Sequence, residues 1–130
     1  MYTNMTTNLM VESVDASVAF YRDILGFSIV ASVPGKKDAL QFAILAKDNL
    51  TLMLQERTSL AEEYPTLATA RVRPSATLYI NTDDLNGLYQ ELKAKHAILC
   101  DMHTSFYGAK EFAIADTDGY VLTFAEQAGA

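Results

Sequence analysis

Two stretches of the chain read almost alike: QFAILAKDNLTLMLQE, Gln41 to Glu56, and EFAIADTDGYVLTFAEQ, Glu111 to Gln127. Set without a gap, Phe42, Ala43 and Ile44 fall on Phe112, Ala113 and Ile114. Asp48-Asn49 then falls on Asp118-Gly119, Leu52 on Leu122, Leu54 on Phe124 and Glu56 on Glu126. Asn and Gly accept positive φ, so each dipeptide suits a tight turn. Alternating apolar residues after each turn predict two β-hairpins. The shared Phe and Ile read as core, which leaves Gln41 and Glu111 on the opposite face.

The likeness extends upstream. TTNLMVESVDASVAFYRDILGF lies on SATLYINTDDLNGLYQELKAKHA with Thr6 on Thr77, Leu9 on Ile80, Ser13 on Asp84 and Tyr21 on Leu92. Each half opens with a short alternating strand, then a capping residue, Ser13 or Asp84, able to accept from the first free N–H groups of a helix. Val14, Val18, Tyr21 and Leu25 recur at helical spacing, as do Leu85, Leu88, Tyr89 and Leu92. Gly26 stops the first helix, while Lys93, Lys95 and His96 suit the negative end of the second, His96 as an exposed residue. One more extended segment, FSIVASV or AILCDM, precedes each hairpin. The prediction is an α+β fold of two tandem βαβββ modules, 4–56 and 75–127, in a single domain spanning 1–130. The linker 57–74 carries SLAEEY, a candidate short helix, and Pro65.

Composition narrows the function classes. The chain has 130 residues, half hydrophobic and a fifth charged, the profile of one ordinary globular domain. A net charge of -6 and a pI near 4.7 oppose nucleic-acid binding, which needs a dense basic face. No apolar run reaches the roughly 20 residues of a membrane span. The first residues, MYTNMTTNLM, lack a basic-then-apolar secretory pattern, and Cys100 is the single cysteine, so a cytoplasmic location is expected. The acidic balance serves solubility and would also attract a cationic ligand.

NLMVESVDASVAFYRDILGFSIV, with its S-x-x-FYR-x-x-LGF helix end, and the closing YGAKEFAIADTDGYVLTFAE resemble the glyoxalase/bleomycin resistance protein/dioxygenase superfamily, also called the vicinal oxygen chelate proteins. The resemblance covers nearly the whole chain and implies that two βαβββ modules form a curved mixed sheet around a cup. It also implies four ligand positions in metal-dependent members, one on the first and one on the last strand of each module. Here those positions hold Thr6, Met53, Thr77 and Thr123. Neutral hydroxyls are weak ligands and a thioether prefers soft metals, so no metal and no other cofactor is expected. Glu126 and Gln55 lie near these positions but miss them by two or more residues. Asp101 and His103, two apart, would share one side of a strand, although such pairs are usually surface neighbours. Cys100 has no obvious base beside it in sequence, and no catalytic constellation stands out.

Strand alternation selects a different set for the cup. With Leu9, Val11, Leu78 and Ile80 facing the helices, the lining would comprise Thr6, Asn8, Met53, Gln55, Thr77, Tyr79 and Thr123, with Glu111 from the seventh strand. Phe106 and Tyr107, in the loop SFYGAKE, would sit at its rim, either stacking on a planar or cationic ligand or covering core or a dimer interface. The resemblance is nearest to the metal-free, bleomycin-resistance-like branch. It implies a homodimer that binds a small molecule, an antibiotic or another aromatic or cationic compound, in a cup or dimer crevice. The alternative is a lyase, isomerase or dioxygenase with a non-standard metal site drawing on Glu126, Gln55, Glu111 or His103.

Overall fold

A computed structural model describes residues 1–128 and divides the chain into two compact units, Met1–Arg73 and Pro74–Ala130. The first contains β1 (Thr7–Val11), α1 (Val14–Leu25), β2 (Ser28–Pro34), β3 (Leu40–Lys47), β4 (Leu50–Glu56) and α2 (Arg57–Glu63). The second contains β5 (Thr77–Asn81), α3 (Leu85–Lys93), β6 (Cys100–Thr104), β7 (Lys110–Ala115) and β8 (Val121–Glu126). Each unit carries one four-stranded mixed sheet, β1-β4-β3-β2 or β5-β8-β7-β6, with its first and last strands parallel and the other pairs antiparallel. This is the predicted α+β pair of βαβββ modules.

The helices begin and end where local chemistry dictates. Ser13 Oγ accepts from Ala16 N at 3.1 Å and Asp84 Oδ1 from Gly87 N at 3.1 Å, so both helices carry side-chain N-caps. Gly26 ends α1 at φ 79°, a left-handed conformation that a side chain would strain. Val14, Val18 and Tyr21 of α1 are buried, as are Leu9, Val11, Ala43, Leu45, Leu52 and Leu54 of the adjacent sheet. In the second unit Leu85 and Leu92 of α3 are buried with Phe112, Ile114, Leu122 and Phe124, and Phe112 lies between Tyr89 and Phe124, 5.1 and 5.4 Å between ring centroids.

The two hairpins are not superimposable residue for residue. In the first, Lys47 pairs with Leu50 around the two-residue turn Asp48-Asn49. In the second, Ala115 pairs with Val121, and Asp116 N donates to Tyr120 O at 2.9 Å, leaving the three-residue loop Thr117-Asp118-Gly119. The buried Asp116 carboxylate shapes it, accepting from Asp118 N and Tyr120 N at 3.1 and 2.9 Å. The extra residue shifts the third strand by one position relative to the fourth, and a one-residue shift reverses faces. Ala43 pairs with Leu54, and Phe112 pairs with Phe124, so these are the equivalent core positions. Phe42 and Ile44 instead pair with Gln55 and Met53 on the face away from α1, and Gln41 falls on the α1 side. The expectations that Phe42 and Ile44 mirror Phe112 and Ile114 in the core, and that Gln41 mirrors Glu111 on the open face, are corrected accordingly.

Two smaller expectations also change. The AILCDM strand begins later, at Cys100. His96 is half-buried rather than exposed, its Nε2 3.0 Å from Ala115 O. The linker is tied down: Glu12 accepts from Arg57 Nε at 2.9 Å and from Val72 N at 2.8 Å. Among the described residues no helix is long and apolar enough to cross a membrane.

Candidate functional site

The second unit's open face is built by register. Cα partners across a sheet share a face, so Tyr79, Thr123 and Ala113 line up across it, as do Asn81, Ala125, Glu111 and His103. Glu111 is its centre, with its side chain 13 % exposed. Its Oε2 accepts from Tyr107 Oη at 2.6 Å and from Tyr79 Oη at 3.1 Å, and its Oε1 lies 3.5 Å from His103 Nε2. The Tyr79 and Tyr107 rings meet edge to face, 6.4 Å between centroids. The bond to Glu111 foremost, and one with Tyr79 next, hold the Tyr107 phenol well above the usual tyrosine range, which keeps it a donor. Phe106 is fully exposed and packs edge-on against Tyr107 at 4.8 Å. Beside Glu111 an open pocket of about 480 Å³ is lined by Thr77, Thr123, Val121, Cys100 and His103 among others.

Sequence reasoning named Cys100 and His103 separately but missed that they are neighbours. Residues three apart on a regular strand face opposite ways, but β6 is irregular between them, with Cys100 opposite Ala113 and His103 opposite Glu111. The irregularity brings Cys100 Sγ to 3.8 Å from His103 Nδ1. It also turns the Asp101 side chain to Tyr89 and away from His103, contrary to the expectation that the two share a side. Asp101 accepts from the Tyr89 hydroxyl, and Tyr89 packs on Phe112 of the core. The hydrogen bond from Tyr89, then one from Met102 N, lowers the Asp101 carboxyl below its ordinary range.

The first unit presents a different face. Asn8 pairs with Met53 and Met10 with Gln55, beside Ile44 and Phe42. Gln55 is 8 % exposed and its amide is fully engaged: Oε1 accepts from Asn8 Nδ2 at 2.8 Å, and Nε2 donates to Ser59 Oγ and Glu63 Oε1 at 3.0 and 3.1 Å. Those last two bonds hold α2 over this end of the sheet. Asn8 Oδ1 is buried with no partner among the described residues. Thr6 lies just before β1, half-buried. The sequence-predicted residues thus fall into two groups: Thr77, Tyr79, Tyr107, Glu111 and Thr123 converge, with Phe106 outside them, while Thr6, Asn8, Met53 and Gln55 belong to the other unit.

The donor set does not fit the family's metal. Thr77 Oγ1 and Thr123 Oγ1, at the two positions of the second module, lie 2.7 Å apart and bond to each other. Met53 offers a thioether beside Asn8 and Ile44. Such donors do not displace water from a hard divalent cation. Glu126 is used elsewhere, accepting from Leu85 N at 2.9 Å at the start of α3. Among the described residues no three His, Cys, Asp or Glu side chains form a group able to hold a metal ion.

Comparison with known proteins agrees with this architecture. The family model described as Glyoxalase/Bleomycin resistance protein/Dioxygenase superfamily matches residues 4–124, and the chain belongs to that superfamily. Among solved structures it resembles a glyoxalase/bleomycin resistance protein/dioxygenase from Nocardioides, with TM-score 0.82 and 17 % identity, covering 100 % of this chain and 87 % of that one. TioX from Micromonospora sp. ML1 superposes with TM-score 0.76 at 16 % identity, covering 98 % and 100 % of the two chains. A lactoylglutathione lyase from Agrobacterium tumefaciens gives 0.75 at 20 % identity, covering 97 % and 94 %. At these identities the likeness establishes the fold and not the activity. No curated protein sequence matches the chain.

Proposed function

We propose that the protein is a metal-independent binder of small aromatic cations, with antibiotic sequestration as one form of that activity, and that it works as a homodimer. The observation that supports this most is Glu111. A carboxylate with little exposure, fixed by two phenols beside an open pocket, offers charge and aromatic surface to one ligand. The phenols orient the carboxylate, so a cation meets a preorganised partner and loses little to rearrangement. Tyr79, Tyr107 and Phe106 supply aromatic surface, and Thr77 and Thr123 supply hydroxyls on the pocket wall. The exposed Ile29, Val30 and Val33 on the edge strand β2 are compatible with pairing between copies. An enzyme of the lyase or dioxygenase type remains the alternative, favoured by the likeness to the lactoylglutathione lyase.

A thermal-shift screen tests the reading. Planar aromatic cations and their neutral isosteres are compared, each with and without EDTA. A saturating ligand at about 100 times its Kd stabilises the native state by roughly 2.7 kcal/mol. The expected result is a shift with cations only, indifferent to EDTA and lost in Glu111→Gln. Shifts abolished by EDTA would favour the enzyme.

A further inference from the structure

We propose that Cys100, His103 and Glu111 form a nucleophilic centre that captures neutral electrophiles of the α,β-unsaturated carbonyl class entering the second unit's pocket. The three side chains stand in the order nucleophile, base, orienting acid. Cys100 Sγ is 3.8 Å from His103 Nδ1, and His103 Nε2 is 3.5 Å from Glu111 Oε1. That order is the arrangement by which a thiol is activated, with the carboxylate fixing the ring and stabilising its positive form. His103 Nδ1 also lies 2.9 Å from Asp101 O; when protonated, the ring donates there and toward Glu111 at once, and in that form it is the partner a thiolate needs.

Two further features separate this from an exposed cysteine alone. Cys100 and His103 both line the 480 Å³ pocket, with Leu99, Val121 and Ala113 giving it apolar wall. They share that face because β6 departs from regular pairing between them. The other groups around the ring are accounted for: Tyr79 from β5 and Tyr107 from the β6–β7 loop both donate to Glu111, and the Asp101 carboxylate is turned to Tyr89.

In the addition, Sγ forms a bond to the β-carbon as the C=C π pair moves to the α-carbon. The thiol proton, held by the ring in the thiolate–imidazolium form, passes from His103 Nδ1 to the α-carbon. No oxidant, reductant or leaving group takes part. The inference uses the same pocket as the binding reading, yet the two fail separately, because thiol addition needs neither a cation nor knowledge of the reversible ligand.

The test is the second-order rate of N-ethylmaleimide addition, followed by intact mass, on the full chain. Cys100 is the only thiol, so one adduct reports one site. At pH 7 the native protein is expected to react about tenfold or more faster than glutathione. His103→Gln should remove that excess, Glu111→Gln should lower it severalfold, and Cys100→Ser should give no adduct. Thermal melts identify any variant that has unfolded, and the native-to-glutathione ratio decides the matter without any variant. A native rate equal to that of glutathione, or a folded His103→Gln that reacts like the parent, overturns the proposal.

Discussion

The two modules share a plan and differ in what they leave on the face away from their helix. In the first, that face holds Phe42, Ile44 and Met53, and its Gln55 amide is consumed by the Asn8–Gln55–Ser59–Glu63 network under α2. In the second, the face gathers Glu111, two tyrosines, two threonines, His103 and Cys100. The physical origin of the difference is partly a single loop residue. One extra position between β7 and β8 turns Phe112 inward and Glu111 outward, whereas the matched Phe42 points the other way.

The contrast can be broken most severely at the two phenylalanines. Phe112→Ala should cost about 3 to 5 kcal/mol, because the ring is fully buried between Tyr89 and Phe124. Phe42→Ala should cost less than half as much, since that ring is only half-buried. Urea denaturation of both variants checks this, and equal costs would mean that the matched strings occupy equivalent sites after all.

Next in size is the amide network of the first module. Gln55→Ala should lose about 1 to 3 kcal/mol by stranding Asn8 Nδ2 and loosening α2. On the open face of the second module, Thr123→Ala breaks one hydroxyl pair and should cost less than about 1 kcal/mol. Reversal of that order in thermal unfolding would undo the assignment of a structural face to one module and a binding face to the other.

The smallest effect concerns the linker. The Val72 N–H first, and the Arg57 side chain next, hold the Glu12 carboxyl below its ordinary range near 4.5. A folded value below the unfolded one stabilises the native state above the unfolded value, and that contribution is lost as pH falls through the folded value. Glu12 is partly exposed and solvent screens the pair, so Glu12→Gln should change stability at pH 7 by less than about 1 kcal/mol. The loss should shrink below pH 4.5, and a pH series of urea midpoints reads it directly.

Much of the scaffold was legible because it rests on local rules. The caps at Ser13 and Asp84, the stop at Gly26 and the helical spacing of Val14, Val18 and Tyr21 each carry their own physical signal. The repeat extended those signals to a βαβββ pair. The third strands misled because sequence identity and strand register are separate properties, and a three-residue loop that follows Asp116 is not visible as an insertion when Phe-Ala-Ile matches without a gap. The site divided in the same way. Alternation alone put Glu111, Tyr79, Thr77 and Thr123 on one face, since β5, β7 and β8 are regular there. Cys100 and His103 escaped because an irregular strand breaks the period on which the reasoning depends, though Cys and His three residues apart were a signal in themselves.

The most direct test of the central claim is an equilibrium titration in EDTA of the planar cation giving the largest thermal shift, on the parent and on Glu111→Gln. The account predicts one affinity with and without EDTA and a loss of about tenfold or more in the variant, the scale of a charge-assisted contact worth 1.5 to 3 kcal/mol. Binding that disappears in EDTA, or equal affinity in both proteins, would contradict it.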